Sequence, residues 1–279
     1  MLERGAEVHA PLYADAITWL AAEARRGDAE DVRLVIDVGA GPGVITGLLA
    51  DAFRSARVIA LDGSPELLDR AADRAARNGL SDRVDTVLAD LPDGLDDLAE
   101  LVGRADVVWA SGVLHHLGDQ QQAIRRVGGL LRPGGLLGLA EGGLPMRTLP
   151  RDIGLGRPGL EARLDAGNEE WFAEMRAALP GTTPAVEHWP SLLASAGLAP
   201  SGSRTFLLDL PSPLDGAGVE LVRRRFERSR ETLAGWIDLD DLAVLGQLLD
   251  PGGPHALERR QDVFVLTATT VHLARTAAL

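Results

Sequence analysis

The chain contains no cysteine and no lysine, and all 28 of its basic residues are arginine. Without thiolates there is neither a ligand set for an iron–sulfur cluster nor a cysteine nucleophile, so both chemistries are excluded. The missing lysine reads as the bias of a GC-rich genome more than as a functional choice. No run of eighteen apolar residues occurs, so no membrane span is expected. The first sixteen residues are too polar for a secretion signal, which predicts a cytoplasmic location. The net charge of −13 lacks the basic footprint that dominates affinity for nucleic acid. The one dense basic run, residues 223–230, has Glu220, Glu227 and Glu231 beside it and reads as a solvated helix face.

What is present is enough apolar residue, 46% of 279, to bury a full core as one large domain or a domain plus a cap. A helix is predicted over 12–26. Strands at 33–38, 57–61, 83–88, 105–110 and 136–140 alternate with helices near 43–53, 65–78, 95–102 and 119–131. That alternation implies a mostly parallel sheet covered on both faces. Arg132-Pro133-Gly134-Gly135 reads as a tight stop before the fifth strand. Beyond it the spacing predicts helices at 161–179, 188–197, 218–235 and 238–249, with strands at 203–210 and 262–270. Four segments follow: an N-terminal helical cap element at 1–31, the alternating core at 32–141, a helical insertion at 142–202, and a final strand pair at 203–279 that carries an inserted helical segment at 211–260.

The most informative stretch is Val35-Ile36-Asp37-Val38-Gly39-Ala40-Gly41-Pro42-Gly43, followed by Val58-Ile59-Ala60-Leu61-Asp62. It is a strand, a glycine turn, a helix and a second strand ending in an acid. Glycines let the backbone approach a ligand closely, and an acid at the end of the second strand suits ribose hydroxyls. The dinucleotide fingerprint G-x-G-x-x-G would place its third glycine at Val44; here the spacing is G-x-G-x-G. Asp37 ahead of the turn would repel a pyrophosphate and welcome an amino group. These residues resemble motif I of the class I S-adenosylmethionine (SAM)-dependent methyltransferases. The resemblance implies an α/β, Rossmann-like seven-stranded sheet of order 3-2-1-4-5-7-6, mostly parallel with the last strand antiparallel, and helical cap insertions. It also implies SAM as cofactor, S-adenosylhomocysteine as its product, and a cofactor site built from Asp37, Gly39, Ala40, Gly41, Gly43, Asp62, Gly63, Asp90, Leu91 and Ser111. Asp90 would accept from the adenine amino group, and the Leu91 amide would donate to the ring. Asp62 could instead make an Asx turn with Gly63-Ser64, and Asp90 could be a turn former.

The fourth strand runs into Ala110-Ser111-Gly112-Val113-Leu114-His115-His116-Leu117-Gly118-Asp119. It has neither the Asn/Asp-Pro-Pro-aromatic motif of base-methylating enzymes nor the terminal acid of metal-dependent catechol methyltransferases. The histidine pair resembles small-molecule methyltransferases, including O-methyltransferases of natural-product sugars. In that topology Glu141, after strand five, is a neighbour of the histidine loop. His115 or His116 could take the proton of a hydroxyl acceptor, with Glu141 orienting the ring. They could equally cap a helix or contact the cofactor. A metal on His115, His116 and Asp119 is disfavoured, because adjacent histidines seldom ligate one ion, and no metal is predicted.

Tyr13, Met146, Arg147 and Trp189 are candidate substrate contacts, each with a packing or surface role as its competitor. The resulting expectation is O-methylation of a hydroxyl or carboxyl of a small molecule of secondary metabolism. N- or C-methylation, of a metabolite or a peptide, and a SAM-binding scaffold that cyclises or regulates, are its rivals. The partners expected are a small-molecule acceptor and at most a second copy of the chain as a homodimer, with no nucleic acid and no membrane.

Overall fold

In the computed structural model, which describes residues 2–26, 31–91, 93–95 and 98–278, the apolar runs form one seven-stranded sheet of order β3-β2-β1-β4-β5-β7-β6. The strands are β1 (Leu34–Val38), β2 (Arg57–Asp62), β3 (Val84–Leu88), β4 (Ala105–Ser111), β5 (Leu131–Arg147), β6 (Ala199–Leu210) and β7 (Val265–Arg275). Helices α1 (Leu2–Arg25), α2 (Val44–Ala52), α3 (Pro65–Arg77), α4 (Leu98–Val102) and α5 (Gln120–Gly129) accompany the first five strands. Helices α6 (Leu160–Ala177), α7 (Trp189–Ser195), α8 (Gly216–Thr232) and α9 (Leu239–Leu249) follow. None of the described helices is long and apolar enough to cross a membrane.

Side chains alternate between the two faces of a strand, and the register shows what each face does. Ile36 is level with Ile59 and Val108, and Val108 with Leu137. These four, with Ile124 and Val127 of α5, form one side of the core. The neighbouring row is Ala60, Asp37, Trp109 and Gly138. Gly138 is small for a reason: a Cβ there would lie 2.8 Å from the Trp109 ring and 3.0 Å from Leu20 of α1. Strands β1 to β5 pair in parallel. Side-chain bonds from Ser203 to His272 and from Thr205 to Thr270 climb β6 while descending β7, so that pair is antiparallel.

Several elements depart from the sequence expectation, among them β6, which begins at Ala199 rather than 203. Helix α1 begins near residue 2 rather than 12 and carries Pro11 in its interior. Proline disfavours such a position, but contacts hold the helix on both sides of it. Glu7 pairs with Arg74 of α3 at 2.6 Å, and the Tyr13 ring stands edge-on to Trp109. Strand β5 spans seventeen residues rather than five. Its Pro133-Gly134-Gly135 segment is absorbed as an irregularity of register, since Ala105 is level with Leu131 and Val107 with Leu136. Strand β7 runs to Arg275, past the expected end at Thr270.

The chain divides into two compact units. One comprises residues 1–142, 179–206 and 269–279, and holds every residue of the glycine turn and the histidine loop. The other comprises 143–178 and 207–268. It is built on buried carboxylates met by arginine. Glu161 accepts from the Thr148 and Leu149 amides at 3.0 and 2.9 Å and is paired with Arg225. Asp241 takes two bonds from Arg163, at 2.6 and 2.8 Å, and this guanidinium holds its carboxyl below the usual carboxylate range.

Candidate active site

The turn after β1 is held by its own backbone. The Gly39 and Ala40 amides both donate to the Leu61 carbonyl of β2, at 2.8 and 2.9 Å. Gly39, Gly41 and Gly43 all have positive φ, at 73°, 54° and 78°, a region that other residues adopt at a cost. Their spatial reasons differ. A Cβ on Gly39 would come within 2.3 Å of Val113, and one on Gly43 within 2.8 Å of the Ala71 backbone in α3. A Cβ on Gly41 would meet nothing within 4 Å. Gly39 and Gly43 therefore serve packing, and Gly41 faces open space. Gly39→Ala should cost about 3 kcal/mol of stability, from overpacking and backbone strain together. Gly41→Ala should cost only the roughly 1 kcal/mol of left-handed backbone. Urea denaturation of the two variants checks this order, and equal losses would contradict it.

Asp62, at the end of β2, closes the turn from the other side. One carboxylate oxygen accepts from the Gly41 amide at 2.9 Å and the other from the Ser64 amide at 2.9 Å. The second bond is an Asx turn, and it leads into α3, whose first turn is capped by Ser64 with Pro65 at N1. Asp62 thus both forms the turn and presents a carboxylate with unused lone pairs. Asp90 follows β3, and its carboxylate is the near neighbour of Gly63: a Cβ on Gly63 would lie 3.1 Å from it. Asp90 is exposed and Leu91 half-buried.

Asp37 is closed off from solvent, 2% exposed, and accepts from the Thr46 hydroxyl of α2 at 2.7 Å. Burial, reinforced by the nearby charge of Asp62, pushes its carboxyl up from 3.8 to about 7. The folded chain then holds this proton between about pH 4 and pH 7 while the unfolded chain releases it, so stability falls as pH rises through that window. Asp37→Asn cannot ionise. Relative to the wild type it should gain stability between pH 5 and pH 8, by about 2–3 kcal/mol. Urea denaturation at the two pH values tests this, and an unchanged difference would refute it.

After β4, Gly112 (φ 62°) turns the chain into a short 3-10 turn, Leu114–His116. Glu141 of β5, 3% exposed, organises this turn. Its Oε1 accepts from the Val113 and Leu114 amides at 3.0 and 2.8 Å, and its Oε2 meets His115 Nδ1 at 2.7 Å. The His115 ring is partly exposed and lies 4.0 Å from the His116 ring, centroid to centroid. Ser111 donates to the Tyr13 hydroxyl at 3.1 Å, which joins α1 to the end of β4. One compact unit thus brings together the glycine turn, the two strand-end acids, a carboxylate–imidazole pair and a phenol.

Residues 36–137, the segment that carries most of these groups, match a family described as a methyltransferase domain. They are a class I SAM-dependent methyltransferase domain. The chain is 39% identical over 108 residues to trans-aconitate 2-methyltransferase of Methylobacterium radiotolerans, covering 39% of this chain and 37% of that protein. It is 36% identical over 109 residues to ribosomal protein L11 methyltransferase of Vibrio cholerae, covering 39% of this chain and 33% of that protein. The chain thus spans about a third of the length of these curated relatives. A Bacillus halodurans protein assigned as a methyltransferase shares the fold, with a TM-score of 0.51 over 92% of this chain and 99% of that one, at 15% identity.

Around the methyltransferase domain, the remaining predicted positions have these settings. Trp189, at the start of α7, is 5% exposed and belongs to the core cluster with Leu193 and Leu198. Met146 and Arg147 end β5 in the second unit, where Arg147 is paired with Asp165. Three contributors escaped the sequence reading: Thr46 and the Val113 and Leu114 amides. A backbone amide has no sequence signature. Thr46 looks like any helix residue.

Proposed function

We propose that the protein transfers a methyl group from SAM to an oxygen of a small molecule, with His115 as the proton acceptor. The observation that carries this reading is the 2.7 Å bond between His115 Nδ1 and the buried Glu141 carboxylate. The glycine turn fits the donor. Gly41 leaves open space on its Cβ side, and Asp62 stands bonded to its amide with lone pairs to spare for ribose hydroxyls. Asp37 lies beneath the turn where a cationic amino group would favour its ionised form. Asp90, Leu91, Gly63 and Ser111 complete the donor site in this reading, and Tyr13 closes it from α1.

When bound, SAM supplies a methyl group on a sulfonium that is already activated for displacement. The chain's own work is therefore alignment and proton removal. The bond to Glu141 makes Nδ1 the protonated ring nitrogen, so Nε2 is the one that accepts the hydroxyl proton. The buried carboxylate then stabilises the charged ring. A carboxyl acceptor, already ionised at neutral pH, would need only the alignment. The relatives' names include an organic acid and a ribosomal protein, so the shared segment does not select the acceptor. We assign a small molecule because the net charge of −13 lacks the basic footprint that dominates affinity for nucleic acid.

The test is calorimetric titration with SAM and S-adenosylhomocysteine, followed by a mass-spectrometric screen of hydroxylated and carboxylated metabolites for a gain of one methyl. Binding of both cofactor forms and methylation at oxygen are expected. No binding by the wild type, or methylation confined to nitrogen, overturns the reading.

A further inference from the structure

A threonine inside a helix commonly turns its hydroxyl onto the carbonyl one turn back, which for Thr46 is that of Pro42. The Thr46 hydroxyl instead donates to Asp37 Oδ2 at 2.7 Å, and both residues are buried. Asp37 is the next-to-last residue of β1, level with Ala60 of β2 and Trp109 of β4. It therefore stands at the carboxyl end of the sheet, just before the glycine turn, where open sheets take their ligands. The bond from α2 fixes how the carboxylate is used. Oδ2 is occupied, and Oδ1 makes no hydrogen bond among the described residues. A buried carboxylate oxygen without a donor is costly in the ionised form, so Oδ1 calls for a proton or a cation.

We propose that Thr46 is a positioning residue for Asp37, holding Oδ2 so that Oδ1 takes the cationic amino group of the methyl donor in exchange for a proton. The proposal rests on the reading of the glycine turn as the SAM site. In the free protein burial pushes the Asp37 carboxyl up to about 7, with the Thr46 bond lowering it and Asp62 raising it. Because Oδ2 accepts from Thr46, the proton of the neutral form sits on Oδ1. On binding, that proton leaves to solvent and the donor's –NH3+ takes its place, so one ion pair forms and one proton is released. Thr46 donates to Oδ2 before and after, and so favours the ionised form. The ionisable groups around Asp37 are Asp62 of β2 and Tyr13 of α1, whose ring meets Trp109. Thr46 and Trp109 do not titrate.

S-adenosylhomocysteine carries the same amino group and serves as the probe. Calorimetric titration of the full chain at pH 6 and pH 8, in buffers of different ionisation enthalpy, gives affinity and proton release together. The wild type should release close to one proton at pH 6 and about 0.1 at pH 8, and should bind about tenfold more tightly at pH 8. Thr46→Val keeps the shape and loses the donor, which makes ionisation of Asp37 about tenfold harder. Its affinity should fall about tenfold at pH 6 but only about twofold at pH 8, where it should still release about half a proton. Thr46→Ser should restore the wild-type profile. 5′-Methylthioadenosine shares the nucleoside and lacks the amino group, so it should bind with neither pH dependence nor proton release.

Binding of S-adenosylhomocysteine without proton release at pH 6 overturns the proposal. An equal loss of affinity in Thr46→Val at both pH values also overturns it, since that marks a packing role. A proton released by 5′-methylthioadenosine does the same, by placing the titrating group elsewhere. Should Thr46→Val fail to fold, Asp37→Asn takes its place. It cannot ionise, so its affinity should be level from pH 6 to pH 8, and a retained tenfold slope is decisive against the exchange. A wild type that binds neither S-adenosylhomocysteine nor 5′-methylthioadenosine fails at an earlier step, because it removes the SAM site itself.

Discussion

Asp62→Ala is expected to weaken binding of SAM and of S-adenosylhomocysteine by about 100-fold, the worth of two hydrogen bonds to a charged group. The carboxylate works in two directions. Its oxygens fasten the Gly41 and Ser64 amides at 2.9 Å each, and in the proposed complex they also accept from the ribose. Alanine removes both, leaving the Gly41 amide without its partner and the glycine turn less well ordered before any ligand arrives. Asp62→Asn keeps an acceptor oxygen but loses the charge and half of the acceptor capacity, so it should fall between alanine and wild type. Calorimetry on the three proteins gives the comparison. An Asp62→Ala protein that binds both ligands as the wild type does would remove the nucleoside from this end of the site. A large loss of thermal stability without ligand would instead assign Asp62 mainly to the turn.

His115→Ala is the second large effect. It should lower turnover of a hydroxyl acceptor by about 10²–10⁴-fold, the usual reach of a positioned general base, while cofactor affinity stays within a few-fold of wild type. Rate and affinity falling together would make His115 a binding residue. Glu141→Gln should lower turnover in the same direction and should also destabilise the fold. Its buried carboxylate accepts from two backbone amides as well as from the imidazole. Weakening those charge-assisted bonds costs about 1–3 kcal/mol. A glutamine variant with full activity and full stability would refute both roles. These measurements need the acceptor that the metabolite screen identifies, whereas the Asp62 series needs only the donor.

The parts of the molecule governed by local rules were readable in advance. The parallel strands β1 to β4 fall within a residue or so of their expected bounds: β1, β2 and β4 are buried on both faces and written as near-continuous apolar runs, whereas β3 is a largely exposed edge strand. Helix α3 starts at Pro65, because Ser64 and Pro65 form a cap-and-first-turn pair whose chemistry is local. The errors lie where distant contacts override local preference. Pro11 reads as a boundary, yet α1 continues through it, held by Glu7 on one side and Tyr13 on the other. Pro133-Gly134-Gly135 reads as a stop, yet the strand absorbs it as an irregularity paired with the end of the chain. The Gly134 amide donates to the Ala277 carbonyl and the Thr276 amide to the Gly135 carbonyl.

The site divides in the same way. The order of residues alone sets which side chains end the strands and where the backbone must take a positive φ, and, in the proposed reading, which acids face a ribose. Those properties belong to single residues and short turns. How the glycines differ follows from packing, because Gly39 is confined by Val113 and Gly43 by Ala71, from elements far along the chain. Packing alone enclosed Asp37 with Thr46, and burial shifts that carboxyl because water is absent, which no spacing of letters records. It also gave His115 its carboxylate, since β4 and β5 are neighbours in the sheet and Glu141 there meets one imidazole and two amides. Hydrogen bonds act over about 3 Å, so which groups share one is settled only when the strands are packed side by side.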